Sequence, residues 1–302
     1  MLRNKIDNFD SNFIQFLFFS SQTKIFKWNI EIINYSSNKS LENCKFMDDF
    51  KISNCSSIIL NIKKCDFNKN LVLSFPNRDS LIFKNCNLNS FSLDNKKISK
   101  LLSFENCTWN IDIKNSNIEE LQIIDSNFKL IEISNNKFSK RVKISFESED
   151  NKIIWDIWEI NFSGNTINDL RIGHSKIEKL TLYNIRNPSE SEINIGNILI
   201  NNLIISNIRN LWKIRFYDIN YWKKENSKKN ININNSSFWD SEFQNFNLNS
   251  FKDVYLYDNL FSDLKYTWVD WIYTIKVDKI TNYWKLRNSY RILKEVAERN
   301  SD

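Results

Sequence analysis

Apolar residues between positions 116 and 138 fall at Ile118, Ile123, Phe128, Ile133 and Phe138, one every five. An α-helix repeats about every 3.6 residues and a strand every two, so neither alone produces this period. The same beat runs back through Phe83, Leu88, Leu93, Ile98, Phe104, Trp109 and Ile113. It resumes at Phe162, Ile167, Ile172, Ile177 and Leu182, at Ile195, Ile200 and Ile205, and at Ile233, Phe238, Phe243 and Leu248. Two residues before each anchor, small and large side chains alternate, as in Ser116, Leu121, Ser126, Ile131 and Asn136, which doubles the period to ten. Where that residue is large, the local text reads apolar-x-apolar-x-Asn, for example L-I-F-K-N (81–85), I-E-I-S-N (131–135) and I-N-I-N-N (231–235).

Each such segment predicts a short strand with one face inward, closed by a turn-forming Asn or Asp. Strands this short bury their faces only by stacking on copies of themselves. The pattern therefore predicts an all-β solenoid, a parallel β-helix of about twenty residues per coil, with coils spaced ~4.8 Å apart. An α-helical repeat is excluded because the i, i+3, i+4 stripe is absent and Ile, Phe and Asn favour strands and turns. We expect the β-helix over residues 42–261, preceded by a capping segment at 1–41. The opening, M-L-R-N-K-I-D-N-F-D-S-N-F-I-Q-F-L-F-F, carries Asp7, Asp10 and Gln15. It fits a cover over the first coil better than a cleaved signal. After Phe261 the beat stops. Residues 262–302 are aromatic-rich and then place Tyr283, Leu286, Tyr290, Leu293 and Ala297 at 3-4-3-4 spacing. That spacing predicts a basic amphipathic α-helix, whose expected role is to cap the open end of the solenoid.

Several units carry a family resemblance. C-D-F (65–67), C-N-L (86–88), C-T-W (107–109), S-N-I (116–118), S-N-F (126–128), N-T-I (165–167) and S-S-F (236–238) resemble the pentapeptide-repeat family. The family's motif is a small residue, Asp or Asn, Leu or Phe, then two polar positions. The resemblance implies a right-handed, four-sided β-helix in which the small and the large residue both point inward. It covers roughly residues 42–261, and about every second pentad matches well. At the others Leu or Ile replaces the small residue, a departure from a regular square section. Y-R-I-L-K-E-V-A-E-R-N-S-D (290–302) also resembles the segment after the repeats in some bacterial members, where a helix leads on to a second helix and often to membrane spans. This implies a membrane-proximal setting and a chain cut short after Asp302.

Composition sharpens the picture without changing it. Hydrophobic residues make up 41% and aromatics 14%, too apolar for a disordered chain despite the abundance of Asn and Lys. The net charge of +6 is a poor match for a DNA mimic, and nucleic acid is not the expected partner. No apolar run is long enough to span a bilayer.

Two features carry candidate chemistry. Cys44, Cys65, Cys86 and Cys107 lie 21 residues apart, so they form one inward column with one thiol per coil; Cys55 lies half a coil away. Short C-x-x-C loops are absent, so the expected role is core filler rather than zinc binding. Unpaired buried thiols fit a reducing, cytoplasmic setting, at most peripheral to a membrane. Asn85, Asn106 and Asp125 mark one corner and Asn95, Asn115 and Asn135 another, as side-chain ladders. His174, the sole histidine, takes a corner position and reads as a turn residue rather than a general base. Asp94, Asp112 and Glu132 face outward and are the carboxylates that a glycan-cleaving β-helix would use.

Two longer interruptions, 147–158 and 221–230, are candidate functional loops. The second holds Tyr221, Trp222, Lys223, Lys224, Lys228 and Lys229, basic residues beside aromatics that suit an interaction surface. No convergent catalytic, metal or cofactor set is legible. The expected function is a non-enzymatic scaffold, sensor or interaction module with an unidentified protein partner. End-to-end homodimers and membrane association through the C-terminal region belong to the same reading. The alternatives are a glycan hydrolase or lyase, and a topoisomerase- or nucleic-acid-interacting protein.

Overall fold

Each ten-residue unit of the sequence folds as half a coil. The computed structural model describes residues 4–7, 23–27, 30–33, 40–53, 59–69, 71–74, 77–145, 156–186, 188, 190–209, 211–220 and 230–267, and the single positions Arg287, Arg291, Lys294 and Glu298. The chain divides into two units, Met1–Glu149 and Asp150–Asp302. Both are right-handed parallel β-solenoids of about 21 residues per coil, with about nine coils in all.

Three parallel stacks build the first unit. One contains Asn4–Asp7, Ile30–Ile33, Phe50–Ser53 and Leu71–Ser74. The second contains Lys24–Phe26, Cys44–Phe46, Asp66–Phe67, Asn87–Asp94, Thr108–Lys114 and Leu130–Ser134. The third contains Leu41–Glu42, Ile59–Lys63, Asn77–Lys84, Lys97–Glu105, Asn117–Ile124 and Lys137–Ser145. In the second unit Asp156–Ser163 pairs with Thr166–Tyr183, and that strand with Glu192–Ser206. The two halves of Glu192–Ser206 then pair with Leu211–Asn220 and Asn230–Asn234. Those continue into Ser237–Phe246 and Leu260–Thr267, and into Asp253–Tyr257.

The five-residue beat follows from how these strands bend. Ser116, Ile118, Leu121 and Ile123 are all buried, whereas Glu119 and Glu120 both face outward. Inward positions therefore step by two, then by three, and the sum is five. The strand register shifts at the three-residue step, between Ile98 and Leu101 and between Ile118 and Leu121. Identical positions stack from coil to coil. Phe26, Phe46 and Phe67 lie face to face with ring centroids 5.1 Å apart, and Phe83 and Phe104 do the same at an interplanar angle of 2°. Each fully buried Phe or Ile contributes on the order of 1.5–3 kcal/mol.

The corners are left-handed. Asn85, Asn95, Asn106, Asn115, Asp125 and Asn135 all have φ between 48° and 56°. Asn and Asp tolerate this region better than other non-glycine residues because their short polar side chains bond locally. The second unit repeats the device at Asn184, Asn207 and Asn235, and at His174, Asn197, Asp218 and Asn245. Lys64, at φ 50°, is a corner without such a side chain. Gly196 is required for a different reason: a Cβ there would stand 2.2 Å from the Tyr217 ring, which lies across it from the next coil.

Outward residues of neighbouring coils form ion pairs at many positions. Lys63 pairs with Glu42 and Lys84 with Glu105; Lys100 pairs with Asp79 and Lys140 with Glu119. In the second unit Arg215 bridges Glu192 and Glu242, and Asp240 sits between Lys213 and Lys265. Stacking in register places outward residues of successive coils opposite one another, where like charges destabilise and opposite charges help. Hydrogen bonds from Lys69, Lys100 and Lys179 hold Asp48, Asp79 and Glu159 below the usual carboxylate range.

The helix expected over residues 283–299 lies outside the described residues, apart from four isolated positions that make no element. Among the described residues no helix is long and apolar enough to cross a membrane.

Two outcomes follow. Asn115→Ala should lower stability by about 1–2 kcal/mol, because alanine in the left-handed corner lacks the short polar side chain that bonds locally and to Asp94. Asn115→Gly should be nearly neutral, and Lys64→Asn should raise the melting temperature; thermal unfolding followed by circular dichroism checks all three. The depressed carboxylates stabilise the fold above their unfolded pKa, near 4. That contribution should disappear as pH falls from about 5 through their folded values, and Lys100→Gln should reduce the acid sensitivity.

Candidate functional site

The four cysteines form the expected column, and the structure supplies its purpose. Cys44, Cys65, Cys86 and Cys107 are each at most 2% exposed. Each thiol donates to the carbonyl two residues earlier: Cys44 to Glu42 (3.2 Å), Cys65 to Lys63 (3.2 Å), Cys86 to Lys84 (3.3 Å) and Cys107 to Glu105 (3.4 Å). On the next coil Ser126 takes the same position and donates to the Ile124 carbonyl at 2.8 Å. Ser116 and Ser236 do likewise with Lys114 and Asn234. The small inward residue thus satisfies a carbonyl just ahead of the left-handed corner, and thiol and hydroxyl are interchangeable in that task. Hydrogen bonding to the neighbouring thiol, with burial, pushes Cys65 and Cys107 well above the ordinary thiol range. Cys55 lies outside the described residues.

The outward carboxylates are in use. Asp94 Oδ1 accepts from Asn115 Nδ2 at 2.9 Å, and Asp112 pairs with Lys114 at 2.8 Å. Asp112 and Glu132 stand in register on successive coils. The hydrogen bond to Asp112, with the nearby charges of Glu132 and Asp94, raises the Lys114 pKa. His174 occupies a left-handed corner at φ 53°. Asn197 Nδ2 donates to its Nε2 at 3.2 Å, within the corner ladder. The basic loop with Tyr221, Trp222, Lys223, Lys224, Lys228 and Lys229 lies outside the described residues.

A cleft that none of these residues lines opens on the second unit. It has a volume of about 620 Å³ and is lined by Tyr183, Asn184, Ile185, Arg186, Asn207, Arg209 and Asn235. Three successive coils build it at one corner. Asn184, Asn207 and Asn235 turn the chain with φ of 51°, 57° and 47°. Ile185 and Ile208 then point inward, and Arg186 and Arg209 point out. Arg186 and Arg209 form a parallel bridge, which sets them on adjacent rungs, ~4.8 Å apart along the stack.

Neither guanidinium has a hydrogen-bond or ion-pair partner among the described residues. The next rung on one side carries Thr166, which bridges to Arg186. On the other side Ser237 follows Arg209, its N–H donating to the Ile208 carbonyl at 2.8 Å. By contrast Arg171 holds Asp169 at 3.0 Å, and Arg215 holds two glutamates.

The corner ladder is also interrupted here. Asn106 bonds to Asn85, Asn245 to Asp218, and Asn235 to Asn207. No such bond joins Asn207 to Asn184 among the described residues, as none joins Asn115 to Asn135, and both Asn184 and Asn207 line the cleft. Tyr183, 45% exposed, adds an aromatic face beside them. The sequence does carry a signal for this site. N-I-R-N occurs at 184–187 and again at 207–210, an exact repeat of corner, inward anchor and outward arginine.

Comparison with protein-family models, characterised proteins and solved structures finds no match to this chain.

The thiol column makes a specific expectation. Cys86→Ser should keep native stability, because the hydroxyl repeats the bond, whereas Cys86→Ala should cost about 1 kcal/mol through the orphaned carbonyl. Urea melts compare the two. Labelling with a thiol reagent should leave these four cysteines unmodified until the chain unfolds.

Proposed function

We propose that the protein is a non-enzymatic binding scaffold whose solenoid surface presents the Arg186–Arg209 cleft to an acidic partner. One observation carries this reading: two cations stack on adjacent rungs with no counter-charge on either flanking rung. Two such charges repel by about 1 kcal/mol even in a water-like medium. Other like charges stacked in register have a counter-charge beside them: Lys63 and Lys84 each have a glutamate on the far side, and Asp112, in register with Glu132, holds Lys114. The arginine pair is therefore not explained by folding, whereas an anionic ligand would relieve the repulsion. The exposed amides and the open Tyr183 face supply further contacts without adding negative charge.

A second reading, a carbohydrate-active enzyme, is favoured by one observation in the first unit. Asp112 and Glu132 stand in register with Lys114 beside them, and Asp112 Oδ1 is buried without a partner among the described residues.

Poly-L-glutamate serves as the test ligand, with the full chain and the Arg186→Glu/Arg209→Glu variant compared by calorimetry. Wild-type binding that weakens with salt, and a loss of tenfold or more in the variant at unchanged melting temperature, are expected. Equal affinity in the two proteins would dispose of the cleft. Release of new reducing ends from an acidic polysaccharide by the wild type, abolished by Asp112→Asn, would replace the scaffold reading with the enzymatic one.

A further inference from the structure

We infer that the Arg186–Arg209 cleft is a phosphate-type site: it takes a doubly charged tetrahedral oxyanion, a phosphate or phosphomonoester. The inference rests on the binding role of the cleft proposed above and names its ligand.

Donor count comes first. Each guanidinium presents a planar fork of N–H groups that saturates the two oxygens of a carboxylate. Two forks on adjacent rungs, with the side-chain amides of Asn184 and Asn207 lining the same cleft, offer more donors than the about four acceptor sites of one carboxylate. A tetrahedral oxyanion presents three or four oxygens and can meet both forks at once. Charge gives the same answer. The lining residues contribute two positive charges and no carboxylate, and a phosphomonoester carries about −1.5 to −2 at neutral pH. One such group neutralises the pair, where a single carboxylate leaves half of it unmatched.

The corner amides add polar groups beside the arginines. Where Asn235 reaches Asn207, the ladder consumes its own donors. Asn184 and Asn207 share no such bond among the described residues, and both line the cleft with the two arginines. The exposed ring of Tyr183 then offers a face to whatever carries the phosphoryl group.

The test titrates the full chain with inorganic phosphate, phenyl phosphate, sulfate and acetate at constant ionic strength between pH 5 and 8, followed by calorimetry. No histidine or carboxylate lines the cleft, so a change over this range reports the ligand. Phenyl phosphate affinity should rise about tenfold as its second proton leaves near pH 6, and sulfate affinity should stay flat. Arg186→Gln and Arg209→Gln should each weaken phosphate binding at least tenfold. Tighter binding of phenyl phosphate identifies an ester on a larger ligand as the source, and tighter binding of inorganic phosphate identifies the free anion.

Acetate binding as tight as phosphate, or phosphate binding unchanged in the double variant, overturns the inference. If poly-L-glutamate still requires both arginines while phosphate does not bind, the scaffold reading stands and the phosphate assignment falls. If neither ligand requires them, both fall.

Discussion

No strand in this fold can satisfy its backbone within its own coil. Every N–H and C=O must find its partner on the coil before or after, because an unpaired buried amide costs as much as a lost hydrogen bond. That requirement reaches into the corners, where Asn85 N–H donates to the Glu105 carbonyl at 2.9 Å and Asn106 N–H to Ile124 at 3.0 Å. Stacking must therefore be in register, and register fixes everything else. Residues one coil apart become neighbours whether or not their chemistry agrees.

Inside, agreement is easy. Phenylalanines stack face to face at close to the strand spacing, and at corners such as Asn85, Asn106 and Asn115 a thiol or a hydroxyl closes the carbonyl just ahead. A one-residue slip would move the whole apolar set to the outer face, which is why insertions are placed at corners and bends. Outside, register is a burden, because identical outward residues would stack as like charges. The fold answers by setting opposite charges beside one another, as where Glu192, Lys213 and Asp240 follow in register on successive coils. Against that background Arg186 and Arg209 are an exception.

Such a fold suits recognition. Repeated rungs hold side chains at fixed spacing on rigid elements, so little ordering entropy is lost when a ligand arrives. Chemistry can then be written on the surface by changing outward residues at one corner, while the inward residues that hold the coil together stay as they are. The cleft is built in this way. Ile185 and Ile208 keep the inward pattern, and the arginines that follow them depart from the charge rule.

By itself the sequence determined the coil. The five-residue beat, the small-large alternation at Ser116, Leu121 and Ser126, and the Asn at each corner are local properties. Each residue type is chosen for its own backbone and its own inward or outward face, so they can be read along the chain. Cys44, Cys65, Cys86 and Cys107 were legible as a column for the same reason, since their spacing equals one coil. Tertiary structure alone decided that Arg186 and Arg209 meet with Thr166 and Ser237 on their flanks. The intervals around that corner are uneven: 20 residues from Gly164 to Asn184, 23 to Asn207 and 28 to Asn235. No fixed period aligns them. Only the hydrogen bonds between coils set which outward side chains face one another and which are left without a counter-charge.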